Sequence, residues 1–315
     1  MDDDYETFGN YNDIKDVNSS IATPSNNTET VITSNETKPK KRGAKAKKEK
    51  VEEETEEAVV RIKEFDLNSI PPTKPTDNGC GVKIVVIGKA GTGKSTVIQA
   101  LLASKAHIAP VIQVFNGTED SNGSYSARCP PICVYDKLDL NAMISFKNRQ
   151  TIAGKHIPEN PWAIQIIDDC TDDPKHLRHP IFQAYYKNGR HWHMIHILSL
   201  QYSLDIMPNI RSNIDYCFIM KETVKKNRKK LYENYCPDCV ESQDDFNILL
   251  DELTENYSAL VINNRATSHK IEDMIFYFKA DPNAISPAWK FGHQTAWEFN
   301  EERFDPNFVD PLIKP

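Results

Sequence analysis

The sequence predicts an α/β protein whose mainly parallel sheet is covered by helices on both faces. The first observation is a regular alternation from Val82 onward, in which apolar runs of five or six residues are followed by longer amphipathic segments. Strands that alternate with helices in this way form crossover units and therefore parallel strand pairs. The second observation is the glycine-rich segment GKAGTGKST at residues 88–96, which joins an apolar run to an amphipathic segment.

The apolar runs have the length of strands, and the amphipathic segments have the length of helices. Strands are predicted at 82–87, 110–115, 163–167, 194–199, 216–220, 259–262 and 274–278. Helices are predicted at 94–103, 138–148, 176–186, 223–235 and 243–253.

Composition divides the chain into three parts. Residues 1–80 are predicted to be a tail and linker that is disordered and charged, because Asn, Ser, Thr, Asp and Glu dominate and apolar periodicity is absent over most of it. Residues 81–281 are predicted to form the folded domain, and residues 282–315, rich in Pro, Trp and Phe, a C-terminal arm. The tail carries a basic run from Lys38 to Lys50, which is either a solvated linker, a nuclear-import signal or a nonspecific DNA tether.

The bulk composition excludes several classes of protein. The chain has 315 residues and a net charge of −7, so any contact with nucleic acid has to come from a local basic patch. It has no run of eighteen apolar residues and no signal-peptide pattern, which predicts a soluble intracellular protein with no membrane-spanning segment. Seven cysteines are an odd number in a long chain, which favours reduced thiols over a secreted disulfide framework.

The segment at residues 88–96 matches the phosphate-binding pattern G-x-x-x-x-G-K-[ST] at every fixed position. Its glycines let backbone amides turn inward around a phosphate, and the N-terminus of the following helix adds positive potential. Lys94 is expected to reach the outer phosphates of ATP and Ser95 to bind Mg²⁺. The dinucleotide pattern G-x-G-x-x-G does not fit, because Thr96 stands at its third glycine; an ordinary glycine-rich turn is the other alternative. The predicted nucleotide-binding residues are Gly88, Gly91, Thr92, Gly93, Lys94, Ser95 and Thr96.

An acidic pair, Asp168 and Asp169, follows the apolar run at 163–167. Parallel sheets bind ligands at the carboxyl ends of their strands, where a nucleotide hydrolase needs one carboxylate for Mg²⁺ and another for the attacking water. Asp168 is therefore the predicted metal ligand and Asp169 the predicted base; the alternative is an acidic pair that opens a polar turn. The residues between the two motifs leave room for the strand at 110–115, and this spacing suggests an inserted strand between the two catalytic strands, as in motor-type ATPases.

Two further polar residues follow the strand predicted at 194–199. Gln201 at the strand end can touch both the attacking water and the terminal phosphate, and it is therefore predicted to sense the state of the nucleotide. Arg211 lies in the loop beyond it. It forms either a surface ion pair or an arginine finger that enters the active site of a neighbouring subunit.

Four segments together, GKAGTGKST, QVFNGTEDSNGSY, IQIIDDCTDD and LSLQYSLDIMPNIRSNIDY, resemble the genome-packaging ATPases of nucleocytoplasmic large DNA viruses, in the FtsK–HerA group of DNA-translocating motors. The resemblance covers roughly residues 82–279, and the element Q…P-x-I-R-x-N is its most specific part. It implies a P-loop NTPase fold with a RecA-like core. It also implies these roles: phosphate and Mg²⁺ binding by Lys94 and Ser95, metal ligation by Asp168, activation of water by Asp169, sensing by Gln201 and a finger at Arg211.

The resemblance implies a function as well. The chain would be an ATPase that pumps double-stranded DNA into a preformed viral capsid, working as a ring-shaped homo-oligomer with active sites between subunits. Its partners would be DNA and capsid components, and its location the virus factory of the host cell, in the cytoplasm or nucleus, and the virion. The basic segment KKNRKK, Lys225 to Lys230, is either a contact to the DNA backbone or a solvated helix face.

Two other functions and one metal site stay open at this stage. A small-molecule phosphotransferase such as a nucleotide kinase would need an arginine-rich lid, and residues 117–160 contain only Arg128 and Arg149. A noncatalytic ATP-binding scaffold for assembly is the other alternative function. Four cysteines form either a zinc site or reduced structural thiols: Cys129, Cys133, Cys236 and Cys239.

Overall fold

The computed structural model describes residues 61–171, 173–202, 206–236, 240–283, 289–305 and 307. In this part of the chain, nine strands form one sheet. The strands are β1 (Lys63–Glu64), β2 (Val82–Ile87), β3 (Val111–Asn116), β4 (Val134–Tyr135), β5 (Ala163–Asp168), β6 (Met194–Leu200), β7 (Tyr216–Ile219), β8 (Ser258–Asn263) and β9 (Ile275–Lys279). The helices are α1 (Lys94–Lys105), α2 (Glu119–Asn122), α3 (Leu140–His156), α4 (Pro174–Arg178), α5 (Pro180–Asn188), α6 (Pro208–Arg211), α7 (Lys225–Tyr235), α8 (Gln243–Leu253), α9 (Ile271–Met274) and α10 (Gln294–Arg303). Short 3₁₀ helices occur at Leu67–Ser69, Pro131–Cys133, Gly189–Trp192 and Glu255–Tyr257.

The strands lie in the order β1-β9-β8-β7-β2-β6-β5-β3-β4. β8 is antiparallel to both of its neighbours, and the other neighbouring pairs are parallel. The mainly parallel α/β fold predicted from the sequence is therefore confirmed. A strand does lie between β2 and β5, but it is β6, whereas β3, the strand suggested by the spacing, lies on the outer side of β5. Order along the chain does not decide this, because a crossover connection can carry the chain past intermediate strand positions.

The central strands are buried on both faces. On one face, Ile84 and Val86 of β2 pack in a cluster with Leu101 of α1. On the other face, Val85 packs in a cluster with Phe182 of α5. Burial on both faces explains why these strands are continuous apolar runs without alternation. None of the helices in the described part of the chain has the length and apolarity needed to cross a bilayer.

Two of the predicted helices differ from their predicted limits by more than two residues or are divided. α3 begins after Asp139, whose side chain accepts hydrogen bonds from the backbone N–H groups of Asn141 and Ala142, and it continues to His156. The helix predicted at 176–186 is divided into α4 and α5. Pro180 causes the division, because proline has no backbone N–H and disfavours the helical conformation at the preceding residue; His179 is extended, with φ −64° and ψ 142°.

Residues 61–80 differ from the charged tail and linker in which the sequence prediction placed them. Phe65, Leu67 and Ile70 are buried in the cluster on the α1 face of the sheet. Lys105 Nζ donates a hydrogen bond to the carbonyl oxygen of Ile70 at 2.6 Å, and Trp162 Nε1 donates one to the carbonyl oxygen of Asp77 at 2.7 Å. The ordered domain therefore begins before residue 81, because a few apolar side chains anchor a segment whose average composition is polar.

The C-terminal arm packs beside the start of β3. Phe291 is fully buried, and its backbone N–H donates to the carbonyl oxygen of Arg128 at 2.7 Å. Further along, Asn300 of α10 accepts a hydrogen bond from the backbone N–H of Ile132 at 2.8 Å. The described part of the arm is therefore attached to the segment between β3 and β4 by one hydrogen bond between backbone groups and one between a backbone group and a side chain, as well as by the packing of Phe291.

A row of polar side chains crosses the middle of the sheet at one register level, with Lys83, His196, Gln165 and Gln113 side by side on β2, β6, β5 and β3. Gln165 Nε2 donates hydrogen bonds to Gln113 Oε1 at 2.7 Å and to Tyr185 Oη at 3.0 Å. Neither ring nitrogen of His196 has a hydrogen-bond partner among the described residues. His196 is therefore a buried neutral imidazole held by packing, and its proton equilibrium is tied to folding.

We expect His196 to make the fold sensitive to acid. Burial, with a smaller contribution from the Lys83 charge, lowers the pKa of His196 from 6.5 to about 3. The folded-state pKa lies below the unfolded-state value, so the unfolded chain binds a proton more readily than the folded one. The contribution of the neutral His196 to the free energy of unfolding is therefore complete above pH 6.5 and is lost as the pH falls toward 3. His196→Leu should flatten the plot of unfolding free energy against pH in that window, by up to about 1.4 kcal/mol per pH unit, measured by urea unfolding.

The matched control is His269→Leu, because His269 is exposed. This variant should keep the pH dependence of the wild type. Equal slopes for the two variants would contradict the role assigned to His196.

Candidate active site

The glycine-rich segment at residues 88–96, called the phosphate loop below, lies at the edge of the sheet where the parallel strands end. It joins β2 to α1, and Gly93 adopts a left-handed conformation at φ 97° immediately before Lys94, the first residue of α1. Glycine takes this conformation without the penalty that a Cβ atom brings. Thr92 Oγ1 donates a hydrogen bond to the carbonyl oxygen of Lys89 at 2.7 Å. The predicted nucleotide-binding residues therefore lie together between the end of β2 and the first turn of α1.

The Lys94 side chain is 6% exposed, and its Nζ lies 3.9 Å from Asp169 Oδ1. The next residue, Ser95, is exposed on the first turn of α1. The ammonium group therefore points toward the end of β5, while the hydroxyl group is open to solvent. This separation suits an ammonium that binds phosphate and a hydroxyl that binds a metal ion.

Asp168 is the last residue of β5 and is buried. Its Oδ2 accepts a hydrogen bond from the Tyr125 hydroxyl at 2.8 Å, whereas its Oδ1 is buried without a partner among the described residues. Burial raises the pKa of Asp168, and the charge of Asp169 adds to this effect; the neighbouring hydroxyl groups of Ser199 and Tyr125 and the Lys94 ammonium oppose it. The Ser199 hydroxyl is close enough to affect the carboxylate but does not form a hydrogen bond of normal geometry with it. A buried carboxylate oxygen without a partner is costly, and a divalent cation that prefers oxygen ligands would remove that cost.

Asp169 and Gln201 are in direct contact. Each is the first residue after its strand, β5 or β6, and Gln201 Nε2 donates a hydrogen bond to Asp169 Oδ1 at 3.1 Å. β5 and β6 are adjacent and parallel, so their carboxyl ends meet at one edge. Asp169 has φ 47°, a left-handed conformation that is unfavourable for a residue with a side chain and that is found preferentially at functional sites.

Glu119 anchors the segment between β3 and β4, a role that sequence reasoning did not assign. Its Oε1 accepts hydrogen bonds from the backbone N–H and the hydroxyl of Ser126 at 2.8 and 2.7 Å. Its Oε2 accepts from Asn116 Nδ2 at 2.7 Å and from the backbone N–H of Tyr125 at 3.3 Å. Burial alone would raise the pKa of Glu119, but these hydrogen bonds bring it below its ordinary value. Glu119 thereby holds Tyr125 in place against Asp168.

A second carboxylate, Glu222, joins the phosphate loop to α7. Its Oε1 lies 2.7 Å from Lys89 Nζ and also accepts a hydrogen bond from the backbone N–H of Val224. Its Oε2 accepts from Asn227 Nδ2 at 2.9 Å. Burial acts to raise the pKa of Glu222, but the hydrogen bonds from Lys89, Val224 and Asn227 lower it overall. The ionised Glu222 therefore connects the phosphate loop with the helix that carries KKNRKK.

The cations of KKNRKK do not all have the same role. Arg228 faces the protein, with Nη1 2.7 Å from Asp251 and Nε 2.6 Å from the carbonyl oxygen of Glu222. Lys225 and Lys226 are exposed, and Lys230 lines a cleft together with Gln201. In this segment, Arg228 therefore stabilises the fold, whereas the lysines face either the solvent or the cleft beside Gln201.

Arg211 is not part of the same site within this chain. It ends α6, and its Nη1 donates to the carbonyl oxygen of Ile206 at 2.7 Å. No contact among the described residues joins it to Lys94, Asp168 or Asp169. The alternative of a surface ion pair has no support in the described residues either, because the contact is to a backbone carbonyl.

Cys239, one of the four cysteines of the predicted zinc site, lies outside the described residues. Among those described, no group of three or more His, Cys, Asp and Glu residues is placed to bind a metal ion. Cys129 is buried and Cys133 half-buried. Burial raises the pKa of both thiols, which favours the protonated thiol over the thiolate that binds metal.

The chain is similar to two proteins of invertebrate viruses. It is 42% identical over 249 residues to the uncharacterized protein 075L of Invertebrate iridescent virus 6, a match that covers 78% of this chain and 96% of the relative. It is 40% identical over 241 residues to the uncharacterized protein 088R of Invertebrate iridescent virus 3, covering 75% of this chain and 92% of the relative. No family model matches the chain.

A solved structure is similar to part of the chain. It is the genome packaging NTPase B204 from Sulfolobus turreted icosahedral virus 2 in complex with AMP, at 16% sequence identity and a TM-score of 0.47. The match covers 64% of this chain and 98% of that chain.

We expect Glu119→Ala to lower the free energy of unfolding by about 1–3 kcal/mol, because the groups that donate to this carboxylate would lose their acceptor. Urea unfolding measures the change. Glu119→Gln has nearly the same shape and keeps one oxygen acceptor, so its loss should be smaller. Asp120→Ala, an exposed change on the same short helix, should stay within about 0.5 kcal/mol of the wild type. A loss for Glu119→Ala no greater than that of Asp120→Ala would refute the anchoring role.

Proposed function

The chain belongs to the family of the viral proteins 075L and 088R, and we propose that it is an ATPase that drives double-stranded viral DNA into a capsid. One observation carries the proposal: Asp169 is in contact with both Lys94 of the phosphate loop and Gln201 at the end of the next strand. A carboxylate between a phosphate-binding ammonium and a carboxamide is arranged to act on a water molecule beside the terminal phosphate. The resemblance to packaging ATPases supports the use of this energy on DNA.

The residues present fit ATP with Mg²⁺. The phosphate loop supplies backbone amides, the N-terminus of α1 and the Lys94 ammonium for the phosphates. Asp168 and Ser95 would hold Mg²⁺, and the buried Oδ1 of Asp168, which has no hydrogen-bond partner among the described residues, supports this assignment. The metal ion supplies charge neutralisation at the phosphate oxygens when it is bound.

The chain's own residues then have distinct tasks in hydrolysis. Asp169 accepts the proton of the attacking water, and its hydrogen bond to Gln201 orients the carboxylate. Gln201, exposed at the end of β6, is in position to exchange this hydrogen bond for one to the water or the phosphate. The Tyr125 hydroxyl holds Asp168, so that the two neighbouring carboxylates keep separate roles.

The exposed lysines of α7 are the proposed contact to DNA. A motor that moves along any sequence needs contacts to the phosphate backbone rather than to bases. Lys225 and Lys226 are exposed on a helix whose first turn is tied to the phosphate loop through Glu222 and Lys89. A displacement of the loop during the ATP cycle would therefore reach these lysines through an ion pair of 2.7 Å.

A ring of identical subunits is the proposed assembly, with Arg211 as a finger that enters the site of a neighbour. Two observations support it: Arg211 has no contact to the phosphate loop or the acidic pair among the described residues, and its guanidinium is only half-buried. Capsid components are the further proposed partners. The viral origin of the relatives supports a location in the virus factory of the host cell.

We expect ATP hydrolysis by the wild type to increase when long duplex DNA is added. Lys94→Ala should reduce turnover by loss of phosphate binding, and Asp169→Asn by about 10²–10⁴-fold through loss of the general base. A steady-state phosphate-release assay measures these rates.

Lys155→Ala and Asp273→Asn, exposed changes outside the site, serve as matched controls and should keep the wild-type rate. Turnover that ignores DNA but rises with a nucleoside monophosphate would indicate a nucleotide kinase instead, and ATP binding without turnover would indicate an assembly scaffold.

Mixed assemblies test the finger. Arg211→Ala subunits mixed with the wild type should reduce ATPase activity by more than their fraction, because each variant subunit disables the site of a neighbour. Arg211→Lys should restore little, since an ammonium cannot make the two parallel hydrogen bonds of a guanidinium. A decline in simple proportion to the fraction of Arg211→Ala subunits would show that Arg211 does not act across an interface.

A further inference from the structure

The turn that precedes β8 has an unusual backbone. Asn256 and Tyr257 follow one another with φ 52° and φ 64°, and both values lie in the left-handed region that residues with a side chain seldom occupy. Two such residues in succession are unfavourable for the fold. The Tyr257 side chain contributes little hydrophobic stabilisation to offset this cost, because it is 69% exposed. An aromatic residue that is both exposed and held in an unfavourable conformation is better explained by a ligand than by packing.

Tyr257 lies beside the phosphate loop. Since β8 is antiparallel to β7, its first residue lies at the edge where β7 and β2 end. A Cβ atom added to Gly93 would lie 3.6 Å from both Cβ and Cδ1 of Tyr257, and 3.4 Å from Cε of Met220. The ring thus lies within van der Waals distance of the position that a Cβ atom of Gly93, the residue just before α1, would take, and the buried Met220 lies next to it.

The order of the strands determines which end of a nucleotide would face Tyr257. Asp168 ends β5, and Asp169 and Gln201 follow β5 and β6, all on one side of β2. These are the residues proposed to act on Mg²⁺, the attacking water and the terminal phosphate. Tyr257 precedes β8, on the opposite side of β2. A triphosphate bound in the loop with its terminal phosphate toward the acidic pair has its nucleoside directed toward β7 and β8.

We propose that Tyr257 is the platform on which the purine base of the nucleotide stacks, which makes the turn at Asn256 and Tyr257 a nucleobase subsite. This inference rests on the proposed function, because it assumes that a nucleotide occupies the phosphate loop. The exposed ring supplies an aromatic face, and Met220 supplies an apolar neighbour near Gly93. Stacking of this kind prefers purines, which have the larger π surface, and it distinguishes adenine from guanine only weakly.

Titration calorimetry on the full chain tests the subsite with two probes, ADP with Mg²⁺ and inorganic pyrophosphate with Mg²⁺. Tyr257→Ala should raise the Kd for ADP about tenfold and leave the Kd for pyrophosphate unchanged, because pyrophosphate has no base. Tyr257→Phe keeps the ring and should stay within about twofold of the wild type. Phe299→Ala removes another exposed aromatic ring, 51% exposed on α10, and should change neither value.

Tyr257→Gly separates stacking from a purely structural role. Glycine suits the left-handed backbone, so this variant should fold at least as well as the wild type in urea while binding ADP as weakly as Tyr257→Ala. An equal change in the Kd values for ADP and pyrophosphate, or no change in either, overturns the nucleobase subsite and leaves the proposed function standing. Failure of the wild type to bind both ADP and pyrophosphate overturns the proposed function together with the subsite.

Discussion

The parallel alignment of β2, β6 and β5 is the constraint on which the rest of the site depends. Because the three strands point the same way, the residues that follow them converge at one edge of the sheet. Lys94, Asp169 and Gln201 therefore meet although more than a hundred residues separate the first from the last. Burial of the strands on both faces makes this edge rigid, and a rigid edge suits chemistry that depends on the distances between a few polar groups.

Two ionised carboxylates hold the loops on either side of this edge. Glu119 accepts four hydrogen bonds within the segment after β3 and thereby presents Tyr125 to Asp168. Glu222 holds Lys89 of the phosphate loop and the first turn of α7. In both cases hydrogen bonds outweigh the cost of burying charge, which is why the pKa of each carboxylate is lowered. These anchors restrict the loops without occupying the positions where Lys94, Asp169 and Gln201 meet.

The two sides of the phosphate loop have different chemical character. On the side of β6 and β5, the Lys94 ammonium lies 3.9 Å from Asp169 Oδ1, which also accepts a hydrogen bond from the Gln201 carboxamide. On the side of β7 and β8, the Met220 methyl group and the Tyr257 ring lie 3.4 and 3.6 Å from the position that a Cβ atom of Gly93 would take. The ion pair between Lys89 and Glu222 also lies on the β7 side, so this side combines an ion pair with the apolar neighbours of Gly93.

The sequence by itself determined the mainly parallel α/β fold, the phosphate loop and the acidic pair at a strand end, because burial and turn chemistry leave local patterns in the residues. It also located Gln201, since a polar residue directly after an apolar run lies at the end of a strand. Only the tertiary structure decided that β6 rather than β3 separates β2 from β5, and hence that Gln201 contacts Asp169. It also decided that Phe65 and Ile70 anchor a segment of polar composition, that Glu119 and Glu222 hold the loops, and that Tyr257 lies beside Gly93. The physical reason is that periodicity reports whether a residue is buried, whereas its neighbours depend on the path of the crossovers and on contacts between distant residues, which no local pattern records.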